Sequence, residues 1–186
     1  MGIELPTDLE RRLFDAIDEP TWLALASALV RAGQPEAENP LDPDQPAGRE
    51  EGIANLVAEK LEAIGLAVEK HALEPERPNI IGTLAGRAGD GPTLILNDHL
   101  DTYPAGDPAK WTSTGGNPYE PTRTGDRLYA RGTSDTRANM ACTLLAVDAI
   151  RKAGIKLNGT IKCVYTVDEE KNGPKGALHL LNDLRL

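Results

Sequence analysis

The sequence predicts an α/β fold on three observations. Apolar residues recur at helical spacing in some stretches and at strand spacing in others, the two kinds alternate along the chain, and Gly or Pro punctuates them. The 186 residues suffice for one domain with a real core, or one domain plus a fragment. Apolar residues make up 40% and charged residues 26%, which excludes disorder throughout, and aromatics at 4% leave the core to Leu, Ile, Val and Ala. A net charge of −9 repels a phosphate backbone and an anionic bilayer alike, so neither nucleic acid nor membrane is an expected partner.

Thr7-Asp8-Leu9-Glu10 has the spacing of a capping box, and Leu9, Leu13, Phe14 and Ile17 follow at helical intervals. Pro20 suits the start of a second helix, lined by Trp22, Leu23, Leu25, Ala26, Leu29 and Val30 and stopped at Gly33. Residues 34–48 hold four prolines and four acidic residues, too stiff and too polar for an element interior, so this Pro-rich acidic loop is expected to be exposed and mobile. Ile53, Leu56, Val57, Leu61 and Ile64 define a third helix ending at Gly65, and Leu66 to Leu73 reads as a short strand.

Asn79 to Leu84 and Thr93 to Leu96 are stronger strands, and the second is apolar on both faces, as a central buried strand should be. Leu128 to Ala130 is a brief strand, Arg137 to Lys152 a helix, and Thr160 to Val167 a strand whose Ile161, Cys163, Tyr165 and Val167 alternate onto one face. Gly176 to Asp183 reads as helix. Cys142 and Cys163 form no C-x-x-C pair and are expected as small buried hydrophobes. No apolar run approaches the about 20 residues that span a bilayer, and the expected location is the cytoplasm.

Three polar clusters fall just after strands or at a helix start, where open α/β sheets build their sites. His99-Leu100-Asp101 sets an imidazole and a carboxylate on one face of extended chain, so the acid can orient a metal-binding ring. Ser134-Asp135 stands at a helix start, where a carboxylate caps the helix or, with two oxygens, bridges two metal ions. Asp168-Glu169-Glu170 ends a strand, and adjacent glutamates can divide labour between ligating a metal and taking a proton from water. Each cluster alone has an ordinary reading as a loop pair, a cap or a solvated acidic run. The conjunction is more specific, with 34 positions from Asp101 to Asp135 and 34 from Asp135 to Glu169.

From Thr93 to Leu181 this series resembles the zinc-dependent amidohydrolase and metallopeptidase family of aminoacylase, acetylornithine deacetylase, succinyl-diaminopimelate desuccinylase and glutamate carboxypeptidase. The resemblance implies a mixed central sheet flanked by helices. It makes 1–186 the N-terminal portion of a catalytic domain, incomplete at the C-terminus and without the lid and dimerisation domain. It assigns His99 and Glu170 as ligands of two zinc ions, Asp135 as the bridging ligand, Asp101 as the partner of His99, and Glu169 as general base. Cobalt or manganese can substitute for zinc in such a donor set. Trp111, Tyr119 and Arg131 match the flanking pattern and are read as structural, and His71 and His179 as ordinary positions. Two residues depart from the family pattern. Asp98 stands where glycine is usual, as an added negative charge near the metals, and Ala138-Asn139 replace small glycines.

The implied function is hydrolysis of an amide bond in a small N-acyl amino acid or short peptide by a water bridging the two zinc ions, in a protein that admits a homodimer when complete. The 186 residues by themselves are expected to be inactive, because three ligands serve two ions where a catalytic zinc normally has three of its own. The alternatives are a non-catalytic fragment or binding relative with an incomplete metal site, and a mononuclear site using only His99, Asp135 and Glu170.

Overall fold

The computed structural model describes residues 7–42, 44–45, 48–87 and 91–183. Side-chain capping by Thr7, together with Pro43 and Pro46 of the proline-rich loop, lies outside the described residues. Helices α1 (Thr7–Phe14), α2 (Glu19–Ala32) and α3 (Glu51–Ile64) precede strands β1 (Ala67–His71), β2 (Asn79–Leu84) and β3 (Thr93–His99). A short hairpin of β4 (Thr122–Thr124) and β5 (Arg127–Tyr129) follows, then α4 (Ala138–Lys152), β6 (Thr160–Thr166) and α5 (Ala177–Asp183).

The main sheet has the order β1-β2-β6-β3. β1 with β2 and β2 with β6 are antiparallel, while β3 runs parallel to β6, so the sheet is mixed. Ile161, Cys163, Tyr165 and Val167 share one face, as their period-two spacing predicts, and join apolar residues of α2, α3 and α4 in the principal core. Val164 and Ile81 point the other way and meet Leu180 of α5. Helix α3 approaches the sheet closely at Gly82, where an added Cβ would stand 2.9 Å from a methyl of Leu61. Helix α2 starts on Asp18, whose carboxylate accepts from the Thr21 backbone N–H at 2.8 Å, and α3 ends on Gly65 at φ +95°.

Three expectations are corrected. Among the described residues β3 lies at the edge of the sheet rather than at its centre, with Leu94 55% and Ile95 46% exposed. An apolar run on both faces does not say which strand lies beside it, and β3 pairs with β6 alone among the described residues. Residues 34–48 are not simply exposed: Gln34, Ala37 and Asn39 are buried, and the Asn39 N–H donates to the Thr102 carbonyl at 2.8 Å. Prolines stiffen this segment without preventing it from packing. Cys142 is exposed, with the Trp22 indole N–H of α2 3.3 Å from its sulfur, while Cys163 is buried as expected.

Candidate metal centre

Parallel pairing of β3 and β6 sets His99 opposite Thr166, so the clusters that follow the two strands meet at one edge of the sheet. His99 is buried, with Nδ1 3.1 Å from the Asp101 carbonyl and 3.3 Å from its carboxylate Oδ1. Both partners accept, so Nδ1 carries a proton and Nε2 is the nitrogen turned toward Asp135 and the glutamates. That nitrogen lies 2.8 Å from Asp135 Oδ1 and 3.9 Å from Glu169 Oε2. One donor atom from each of His99, Glu169 and Glu170 lies within 4.8 Å of the others. Asp135 enters this group through His99.

Asp135 does not cap α4. It sits at a kink before α4 where Asp135 and Thr136 have non-helical backbone, its bond to Thr136 is cis, and its carboxylate faces His99. Asp101 is the hub of the site. Its Oδ1 accepts from the Glu169 N–H and its Oδ2 from the Glu170 N–H, each at 3.1 Å, and Oδ2 also accepts from Asn39 Nδ2 at 2.9 Å. Burial would raise the Asp101 carboxyl, but the His99 ring, Asn39 and the Glu170 N–H hold it below the ordinary range. Burial likewise would depress His99, yet Asp101 and Asp135 outweigh it and raise the ring to about 9. Glu170 is pushed up, by burial first and then by Asp135 and Asp101, with His99 opposing.

Four buried residues with no motif of their own complete the surroundings. Asn39 also donates to Asp168 Oδ1 at 3.0 Å. Arg77 donates to Asp168 Oδ1 at 3.2 Å and forms a two-pronged pair with Glu50 at 2.9 and 2.7 Å. Arg137, fully buried, donates to the Leu100 carbonyl at 2.6 Å and the His99 carbonyl at 3.2 Å, bracing the backbone that carries the imidazole. Complete burial pulls its guanidinium down to about 10. Arg137 stands just before α4, where an arginine carries no distinctive signal. The others sit in loops and beside a proline, where no local pattern marks them.

Asp98 faces α4 rather than the cluster, accepting from Asn139 Nδ2 at 2.5 Å and Thr143 Oγ1 at 3.2 Å. The two departures from the family pattern are thus partners of each other. Tyr119 donates to Glu38 at 2.6 Å, Trp111 to the Ala105 carbonyl at 3.0 Å and Arg131 to the Pro104 carbonyl at 3.1 Å, with the Arg131 guanidinium 5.3 Å over the Trp111 ring. These contacts tie neighbouring loops to one another. His179 pairs with Asp183 at 2.7 Å and His71 lies 3.3 Å from Glu69, both apart from the cluster.

A mixed sheet that gathers an imidazole and several carboxylates at its strand ends defines a metallopeptidase-like class of domain. Residues 95–185 match the profile described as peptidase family M20/M25/M40. The chain is 34% identical over 129 residues to an N-formyl-4-amino-5-aminomethyl-2-methylpyrimidine deformylase of Bacillus subtilis, covering 69% of this chain and 30% of that protein. It is 33% identical over 156 residues to a succinyl-diaminopimelate desuccinylase of Methylibium petroleiphilum, covering 81% and 36% respectively. Its fold overlays human carnosine dipeptidase 1 with a TM-score of 0.76 at 22% identity, over 97% of this chain and 38% of that one. The chain belongs to the M20/M25/M40 peptidase family and spans about a third of the length of the curated relatives it matches. No helix among the described residues is long and apolar enough to cross a membrane.

Proposed function

We propose that this chain carries the working centre of a divalent-metal amidohydrolase that cleaves the amide bond of a small N-acyl amino acid or short peptide. The observation that carries the reading is the convergence of His99, Glu169 and Glu170 within 4.8 Å, beside a ring whose Nε2 is turned outward by Asp101. The donors fit a metal. They are imidazole nitrogen and carboxylate oxygen without thiolate, a set that suits zinc and accepts cobalt or manganese. Crowded carboxylates around one imidazole also repel one another unless a cation joins them. The relatives named a deformylase and a desuccinylase support removal of a small acyl group.

In this reading His99, Asp135 and Glu170 are the side chains that would hold two zinc ions. When bound, such ions would polarise a carbonyl oxygen and lower the pKa of a water. Glu169 takes the proton from the attacking water and later delivers it to the leaving amine. Asp101 holds the His99 proton on Nδ1, which leaves Nε2 as the nitrogen that would face a metal. The protein works in the cytoplasm, where its two free cysteines stay reduced.

Counting donors favours a second reading for residues 1–186 by themselves, a binding module with too few ligands to turn over substrate. Metal content by mass spectrometry on the complete gene product, with hydrolysis of a panel of N-acetyl, N-succinyl and dipeptide substrates, decides between them. Close to two zinc ions per chain together with turnover of one substrate class is the expected result. A complete protein that binds no divalent metal and cleaves nothing in the panel overturns the proposal.

A further inference from the structure

The acidic triplet is not one cluster. Glu169 and Glu170 are partly open, whereas Asp168 is buried and turned inward, away from the donor group. Its backbone is left-handed at φ +66°, a conformation that a non-glycine residue holds only when its surroundings fix it. Those surroundings are visible. Arg77 Nη2 and Asn39 Nδ2 both donate to Asp168 Oδ1, at 3.2 and 3.0 Å. Arg77 is itself locked by Glu50, which precedes α3, so the grip on Asp168 is anchored in the helical layer. The next two backbone N–H groups after Asp168 are those that donate to Asp101.

We propose that Asp168 is a positioning residue: its carboxylate, held by Arg77 and Asn39, fixes the left-handed turn that presents Glu169 and Glu170 to Asp101 and to the site. It touches no reacting atom. Arg77 and Glu50 are the outer part of the same device, and Asn39 links it to Asp101 directly. The inference rests on the reading of Glu169 and Glu170 as the working carboxylates.

Asp168→Gly separates handle from backbone, because glycine adopts the left-handed turn freely but offers nothing to grip. Asp168→Asn keeps both an acceptor and tolerance of the turn. The readout is amide hydrogen exchange by NMR on the 186-residue chain, which follows the Glu169 and Glu170 N–H groups individually. In Asp168→Gly both should exchange about tenfold faster or more, while Asp168→Asn stays within about threefold of the parent and the amides of Val57 and Cys163 are unchanged. Arg77→Lys, which cannot grip Glu50 and Asp168 together with a planar fork, should also speed both amides. If Asp168→Gly loosens the core amides as well, Arg77→Lys alone carries the test. Site amides as slow as the parent's in the glycine variant, in Arg77→Lys, or an asparagine variant as fast as the glycine one, overturn the proposal. The measurement needs neither bound metal nor turnover, so failure of the amidohydrolase reading appears in the metal and substrate assays instead.

Discussion

Asn39 gives one amide hydrogen to each of two buried carboxylates, Asp101 and Asp168, and so stands as a neutral spacer between like charges. Asn39→Asp replaces that spacer with a third carboxylate at the same distances and should destabilise the chain by about 3 kcal/mol or more, read as a lowered urea midpoint. At the donor group itself, Glu169→Gln in the complete protein should cut turnover by about 10²- to 10⁴-fold with metal content nearly intact, since an amide keeps the shape but takes no proton. Glu170→Gln should lose metal first. Metal loss parallel to activity loss in Glu169→Gln would make Glu169 a ligand. His99, Asp135, Glu169 and Glu170 were legible because their chemistry is rare and their order along the chain is specific. Asn39, Glu50 and Arg77 were not, because they act through burial and through partners 27 to 129 positions away. A buried amide and an exposed loop amide look alike in sequence.

Among the elements, helix α2 is anchored by Asp18, whose carboxyl is held below its ordinary value by the Thr21 backbone and hydroxyl. A depressed carboxyl contributes stability that is fully present above the unfolded pKa of about 3.9 and is lost as pH falls through the folded one. The melting temperatures of wild type and Asp18→Ala should therefore differ at pH 6, and the gap should shrink as pH falls below about 4; a gap that grows with acidification would refute the capping account. Between sheet and helices, Gly82→Ala should cost about 1 to 3 kcal/mol, because its methyl meets Leu61 where the core is already filled. The Asp98 and Asn139 pair ties β3 to α4, and a double-mutant cycle on it should show a coupling of about 1 kcal/mol or more. Period-two spacing placed the inner face of β6 correctly from sequence, since both sides of that strand are flanked by others. The same reasoning misjudged β3, whose apolar outer residues meet no neighbouring strand among those described.

At the scale of the whole molecule, Leu94 and Ile95 on the sheet edge and Leu178 and Leu181 on α5 leave apolar surface open. An apolar edge strand with unpaired backbone groups invites association. The isolated 186 residues should accordingly scatter more light as concentration rises, and Ile95→Lys should reduce that scattering without lowering the melting temperature. The parallel register of β3 and β6 carries a different consequence, one for how the chain reaches its native state. It pairs Thr93 through His99 with Thr160 through Thr166, across a loop that contains α4. Because side chains alternate along a strand, a slip of one residue between β3 and β6 would turn the imidazole to the opposite face of the sheet, away from both glutamates that follow β6. Mispaired chains therefore present no donor group at all, and any ion that prefers the assembled cluster will draw the folding population toward the one correct alignment.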